Sequence, residues 1–194
     1  MSLIKKTLFI SILILSACTS KKIEWHSQDV SGAIPILEFN LTAETGKEVN
    51  AQTFKDKVNL LFFGFADCPH ICPMTLDVLA QTIQKLDASE RAQINVLFVG
   101  IDPRDTPARL KEYTQRFGPE FIGLTGTQEN LKALSKKYLV TYDLAQSNSM
   151  QGNELTHSSI IYAFDREGKS KLLMRGDQPK EHLVEDVRNL ISIL

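Results

Sequence analysis

Two cysteines four residues apart follow directly on an apolar run: Leu60-Leu61-Phe62-Phe63-Gly64-Phe65-Ala66 leads through Asp67 into Cys68-Pro69-His70-Ile71-Cys72-Pro73. The run has the composition of a buried strand, and Pro73 suits a first helical position. The spacing therefore places two thiols where a strand ends and a helix begins. Backbone N–H groups and the positive end of the helix dipole favour thiolate over thiol there. Such a pair either makes and breaks a disulfide or holds a soft metal. Residues i and i+4 of a regular helix lie near the upper limit of bridgeable Cα separation, about 6 Å. A disulfide thus needs a local loop or a distorted first turn.

Two thiolates rarely complete a metal site, and soft thiolate ligands select Cu(I) or zinc while imidazole suits both metals. The chain has four histidines. His157, in Leu155-Thr156-His157-Ser158-Ser159, stands between a polar aperiodic stretch (143–154) and an apolar strand, and is the expected third ligand. His70, between the cysteines, either reaches the metal or faces water. His26, in a polar N-terminal stretch, and His182, on the polar side of the last helix, are expected to be solvated. Closed structural zinc takes four protein ligands. With three persuasive donors, the set Cys68, Cys72 and His157 fits three-coordinate copper better.

The first residues indicate the compartment. Lys5 and Lys6 precede the short apolar stretch Leu8–Leu15, and Ser16-Ala17 supplies small residues before a cut, the layout of a secretory signal over residues 1–17. The apolar stretch is too short to span a bilayer, which takes about 20 residues. Leu15-Ser16-Ala17-Cys18 resembles the bacterial lipobox, which implies lipid on Cys18. Lipidation accounts for the odd cysteine count, since only Cys68 and Cys72 then remain as thiols. Losing Lys5 and Lys6 from 22 basic residues against 23 acidic leaves a net charge of −3. That balance argues against nucleic acid and against a polybasic membrane patch. The expected organisation is a signal (1–17), a polar tether (18–33) and one domain (34–194). Trp25 is the tether's one large apolar residue, and it either docks on the domain or touches headgroups.

Strands and helices alternate across the domain. Ile36–Leu41 and Lys47–Asn50 flank Glu44-Thr45-Gly46 as a hairpin, and Val58–Ala66 is the first buried strand. Leu76, Leu79, Ile83 and Leu86 mark an amphipathic helix running to about Asp87. Ile94–Ile101 is apolar throughout most of its length, as a strand covered on both faces should be. Thr106 caps a helix with Leu110, Tyr113 and Phe117 inward. Phe121–Leu124 is a strand and Asn130–Val140 a helix. Ser159–Phe164 and Lys171–Met174 are strands joined at Asp165-Arg166-Glu167-Gly168, and Pro179 opens the closing helix. The order predicts an α/β fold, thioredoxin-like, with a central mixed sheet, parallel at its centre, and flanking helices. In such a sheet ligands bind beyond the carboxyl ends of the strands, where the cysteines fall. Asp102 and Asp105 read as turn and helix-start carboxylates, Gly123 and Gly126 as turn glycines, and Phe62, Phe63 and Phe65 as core or site wall.

Four segments in order resemble the Sco/SenC family: Cys68-Pro69-His70-Ile71-Cys72-Pro73 behind its strand, Val99-Gly100-Ile101-Asp102-Pro103-Arg104-Asp105-Thr106-Pro107, Phe121-Ile122-Gly123-Leu124-Thr125-Gly126-Thr127, and Thr156-His157-Ser158. The likeness runs from about Ile36 to the C-terminus. It implies a thioredoxin-fold, membrane-tethered copper protein, carrying Cu(I) or Cu(II), that helps build the dinuclear copper centre of cytochrome c oxidase. The matching positions make Cys68, Cys72 and His157 the metal ligands and Cys68–Cys72 the redox-active pair. Implied partners are the copper-bearing oxidase subunit, other copper chaperones or thiol reductants, and a membrane through the lipid anchor. The implied location is the periplasmic or outer side of a bacterial cytoplasmic membrane. The family usually has an acidic residue where this chain has His70, and often one where it has Thr156. Loss of a carboxylate beside the thiolates is expected to lower their pKa.

Two other functions compete with a copper carrier. A thiol-disulfide oxidoreductase would use the same cysteines, but such enzymes resemble one another in C-x-x-C and a cis-proline facing it, whereas this chain has C-x-x-x-C and no proline between Pro119 and Pro179. A peroxidase reading lacks the threonine-plus-cysteine pattern of thioredoxin-fold peroxidases.

Overall fold

A computed structural model describes residues 23–140 and 159–193. The signal, Cys18, the 143–154 stretch and His157 lie outside the described residues. An eight-stranded sheet runs in the order β1-β8-β7-β4-β5-β6-β2-β3. Its strands are β1 (Gln28–Asp29), β2 (Asn40–Ala43), β3 (Glu48–Asn50), β4 (Val58–Gly64), β5 (Ile94–Gly100), β6 (Phe121–Thr125), β7 (Ile160–Phe164) and β8 (Ser170–Arg175). The helices are α1 (Ile71–Gln84), α2 (Ala88–Arg91), α3 (Pro107–Thr114), α4 (Gln128–Lys137) and α5 (Lys180–Ser192). β4 and β5 pair in parallel from Val58↔Ile94 to Gly64↔Gly100, and β6 continues the parallel centre. The outer pairings are antiparallel on both sides. This is the thioredoxin-like arrangement, and the apolar runs are its central strands, with every residue of β4 and β5 buried.

Side chains alternate across those strands and so divide the core. Leu60, Phe62, Val96 and Phe98 pack with Leu76, Leu79, Ile83, Leu110, Leu183, Val187 and Leu190 of α1, α3 and α5. Leu61, Phe63, Leu97 and Val99 pack on the opposite face with Leu131 and Leu134 of α4 and with Leu37 and Phe39. Each fully buried Leu or Phe contributes about 1.5–3 kcal/mol, so two stocked faces hold the domain without a disulfide framework.

Several boundaries differ from the sequence reading. The hairpin forms around Gly46, but its first strand starts at Asn40; the preceding residues are irregular chain from which Leu37 and Phe39 enter the core. α1 starts at Ile71, two residues before Pro73. Proline remains compatible there, since the first-turn N–H groups have no partner within the helix. Thr106 caps α3 as expected, its hydroxyl accepting from Arg109 N at 3.4 Å. Ala51–Phe54 forms a 3-10 turn that periodicity did not reveal.

The segment read as a tether joins the fold from Trp25 onward. Trp25 packs on the core that contains both cysteines. The N–H groups of His26 and Ser27 donate to the fully buried Asp186 carboxylate at 2.9 and 2.8 Å. The His26 ring stacks on His182 at 4.1 Å and its Nε2 lies 2.6 Å from Glu185 Oε2. The two histidines thus stack on each other while His26 stays exposed, as expected, and β1 extends the sheet beside β8. A two-residue strand has no period to detect.

Candidate metal and thiol site

The thiols sit beyond the carboxyl end of β4, held by two short elements. Cys68 ends a turn in which its N–H donates to Phe65 O at 3.1 Å, so it stands outside the helix. Cys72 is the second residue of α1, and its N–H donates to Cys68 Sγ at 3.3 Å. The turn supplies the departure from regular helix that i, i+4 bridging requires. Both cysteines are free thiols, Cys68 7% and Cys72 1% exposed.

The two sulfurs are electrostatically unlike. A hydrogen bond from the Cys72 thiol draws the Cys68 pKa down to about 6; burial opposes this, while the N–H groups of Cys72, His70 and Ile71 assist. The same hydrogen bond, burial and the negative charge on Cys68 push Cys72 far above the ordinary thiol range. The first proton lost by the pair thus leaves Cys68, with the helix start as its cradle. Alkylation by iodoacetamide should mark Cys68 first. Its rate should rise through about pH 6 and level off above, because the shift is downward; a midpoint near the ordinary value of about 8.5 would contradict this asymmetry.

The floor of the site is Gly64. A Cβ there would stand 2.7 Å from Cys72 Sγ and 2.7 Å from Phe98 Cε2. Glycine is required at this position by close approach.

The loop after β5 braces the cysteine loop. Both carboxylate oxygens of buried Asp105 accept from Ala66 N–H at 3.3 Å. Burial raises the Asp105 pKa to about 6, partly countered by that N–H. Arg104 binds Asp102 through Nη2 at 2.6 Å and reaches Asp67 at 3.5 Å. The guanidinium beside it holds Asp102 below the usual carboxylate range. Arg109 joins Asp67 to Asp105, the latter at 3.8 Å. Asp102 thus acts as the turn carboxylate that the sequence suggested, its Oδ1 accepting from Arg104 N–H at 2.8 Å, whereas Asp105 serves Ala66 across the loop and leaves the capping of α3 to Thr106. The roles of Asp67 and Arg109 were not legible; the basic residues of Arg104-Asp105-Thr106-Pro107-Ala108-Arg109 were the one available signal.

Among the described residues no three His, Cys, Asp or Glu side chains converge as a metal group. His70 is exposed and does not complete a site with the two thiols. His26 and His182 lie on the α5 side, engaged with each other. The donor chemistry fits a soft metal, with one ready thiolate and one adjacent thiol.

Fold and site together define a thioredoxin-like protein with a buried dithiol at the end of its parallel strands. The chain belongs to the SCO1/SenC family, whose model matches residues 30–192. It is 42% identical over 156 residues to the mitochondrial protein SCO2 of Saccharomyces cerevisiae, covering 79% of this chain and 52% of that protein. The chain thus spans about half the length of that relative. It is 35% identical over 154 residues to a SCO2-like protein of Rickettsia conorii, covering 78% of this chain and 75% of the relative. Yeast Sco1 solved with copper bound superposes with a TM-score of 0.72 at 31% identity, covering 83% of this chain and 91% of that one.

Proposed function

We propose that this protein is a membrane-anchored copper carrier that delivers copper to the dinuclear copper centre of cytochrome c oxidase, or prepares the cysteines of that centre. Cys68, Cys72 and His157 are the ligands, and Cys68–Cys72 is also a redox-active pair. The observation that carries the reading is the unequal thiol pair at the carboxyl end of β4, in a chain whose relative yeast Sco1 has been solved with copper. One preformed thiolate captures Cu(I), and Cys72 loses its proton as it joins. With few ligands, an incoming thiolate can displace the metal, so delivery is ligand exchange. Its partners are the copper-bearing oxidase subunit and the copper chaperones or thiol reductants that load or reduce it.

Anaerobic titration with Cu(I) tests this. The reduced protein should bind one equivalent and the oxidised protein none, because the thiolate is the ligand. His157→Ala should bind more weakly while still cycling between dithiol and disulfide. Equal uptake by both redox forms would sink the proposal.

The second reading is thiol-disulfide exchange on extracytoplasmic cysteines, which the lowered Cys68 pKa favours. Against it, the cysteines are spaced C-x-x-x-C and the sequence has no proline between Pro119 and Pro179. Gene deletion at limiting copper separates the two. Loss of oxidase copper with acceptor thiols still reduced supports delivery, whereas rescue by His157→Ala of accumulated oxidised thiols supports exchange.

The anchor is lipid on Cys18, facing the periplasm or the outer side of a bacterial cytoplasmic membrane. Among the described residues no helix is long and apolar enough to cross a membrane. One acyl chain binds only marginally and stable anchoring takes more than one signal. Cys18→Ser should move the processed protein to the soluble fraction, and undiminished membrane retention would remove the anchor.

A further inference from the structure

We infer that His70 and Met74 form a second, weaker soft-metal site at the start of α1, a loading point through which Cu(I) passes to and from the Cys68–Cys72 pair. The inference deepens the copper reading and rests on it. Met74 is 64% exposed, one of three large apolar side chains so placed among the described residues, and Ile36 and Leu139 are the others. The apolar residues of α1 that build the core are Leu76, Leu79 and Ile83. Met74 contributes nothing to that stripe. A thioether left in water two residues from a buried thiol does little for folding, and is a soft donor available to metal.

His70 stands one turn earlier. It is exposed, and as the residue capping α1 its side chain makes no capping hydrogen bond. Met74 N–H donates to His70 O at 3.1 Å, which closes the turn between them. Side chains four residues apart on a helix have Cβ atoms about 5–6 Å apart, within range for an imidazole nitrogen and a thioether sulfur to share one ion. Imidazole suits copper, and thioether selects Cu(I) over the harder ions. Cys72 lies between the two donors in sequence, and its N–H already rests on Cys68 Sγ.

The surroundings keep this site weak. The positive end of the α1 dipole opposes a cation, and the neighbouring Asp67 is engaged by Arg104 and Arg109. Two neutral donors therefore hold Cu(I) loosely enough to release it. In the transfer step the imidazole and thioether bonds break and bonds to the Cys68 thiolate and the Cys72 sulfur form. Copper remains Cu(I), no electron moves, and the Cys72 proton passes to solvent.

The test uses full-length protein in detergent, with methionine methyls labelled and Cu(I) added anaerobically. In the Cys68→Ser/Cys72→Ser variant, the Met74 methyl and His70 ring signals should shift together and saturate, while buried Met174 stays still. Adding His70→Ala should abolish the Met74 response. With the thiols restored, Met74→Leu should leave equilibrium Cu(I) affinity unchanged and slow uptake severalfold. A silent Met74 methyl in the thiol-free variant, a response unaffected by His70→Ala, or unslowed uptake by Met74→Leu overturns the inference. Failure of the copper reading looks different: the wild-type thiols would then take up no Cu(I), whatever Met74 does.

Discussion

Gly64→Val should lower the stability of the reduced protein by about 3 kcal/mol, the cost of forcing extra methyls into a packed core, and should weaken Cu(I) binding at the same time. The added Cβ alone would lie 2.7 Å from both Cys72 Sγ and Phe98 Cε2. Neither neighbour yields easily. Cys72 is fixed in the first turn of α1 and Phe98 is wholly buried between strands and helices. Relief therefore pushes α1 away from the sheet and carries Cys72 away from Cys68. Thermal unfolding should show the midpoint falling by about 10 °C for a domain of this size, and Cu(I) competition should show the paired loss of affinity. A midpoint within about 2 °C of wild type would mean that the close approach is slack.

Asp186→Ala should cost a similar amount, about 3 kcal/mol, by a different route. Its carboxylate is fully buried and takes the N–H groups of His26 and Ser27 at 2.9 and 2.8 Å. Removing it leaves the buried Ser27 N–H and the part-buried His26 N–H without acceptors, each costing up to about 1–3 kcal/mol unless the chain detaches. Detachment is the expected escape. Hydrogen exchange at the amides of residues 26–30 should accelerate well beyond that of β4 and β5, and Trp25 should become more exposed in fluorescence. Unchanged protection at His26 and Ser27 would show that Asp186 is not what holds the segment.

The elements legible in the sequence were those whose burial leaves a period or an unbroken apolar run. β4 and β5 could be read because both faces are covered, and α1, α3 and α5 because Leu76, Leu110 and Leu183 begin regular inward stripes. The positions of Cys68 and Cys72 followed from the strand-to-helix junction. What stayed hidden depends on contacts between distant parts of the chain. Nothing local marks Gly64 as the floor beneath Cys72, Asp67 as partner of Arg109, or Asp186 as acceptor for the N-terminal segment. The unequal thiols were likewise unreadable: the sequence argued for lowered pKa values from the missing carboxylate at position 70, whereas the structure lowers Cys68 alone, chiefly through Cys72.

The register of β1 sets the direction in which the protein looks. Gln28 and Asp29 pair with Leu173 and Leu172, so the chain arrives at the sheet from the Arg175 end of β8. Arg175 faces Ile160, and β7 runs against β4 with Tyr162 opposite Leu61, so this is the end at which β4 delivers Gly64 and the cysteines. With lipid on Cys18, residues 18–24 are the whole leash, shorter than about 25 Å even when fully stretched. A domain of this size is about 40 Å across, so it cannot roll over on such a leash. The end at which a lipid-anchored N-terminus would enter the fold is thus the end that carries the two thiols.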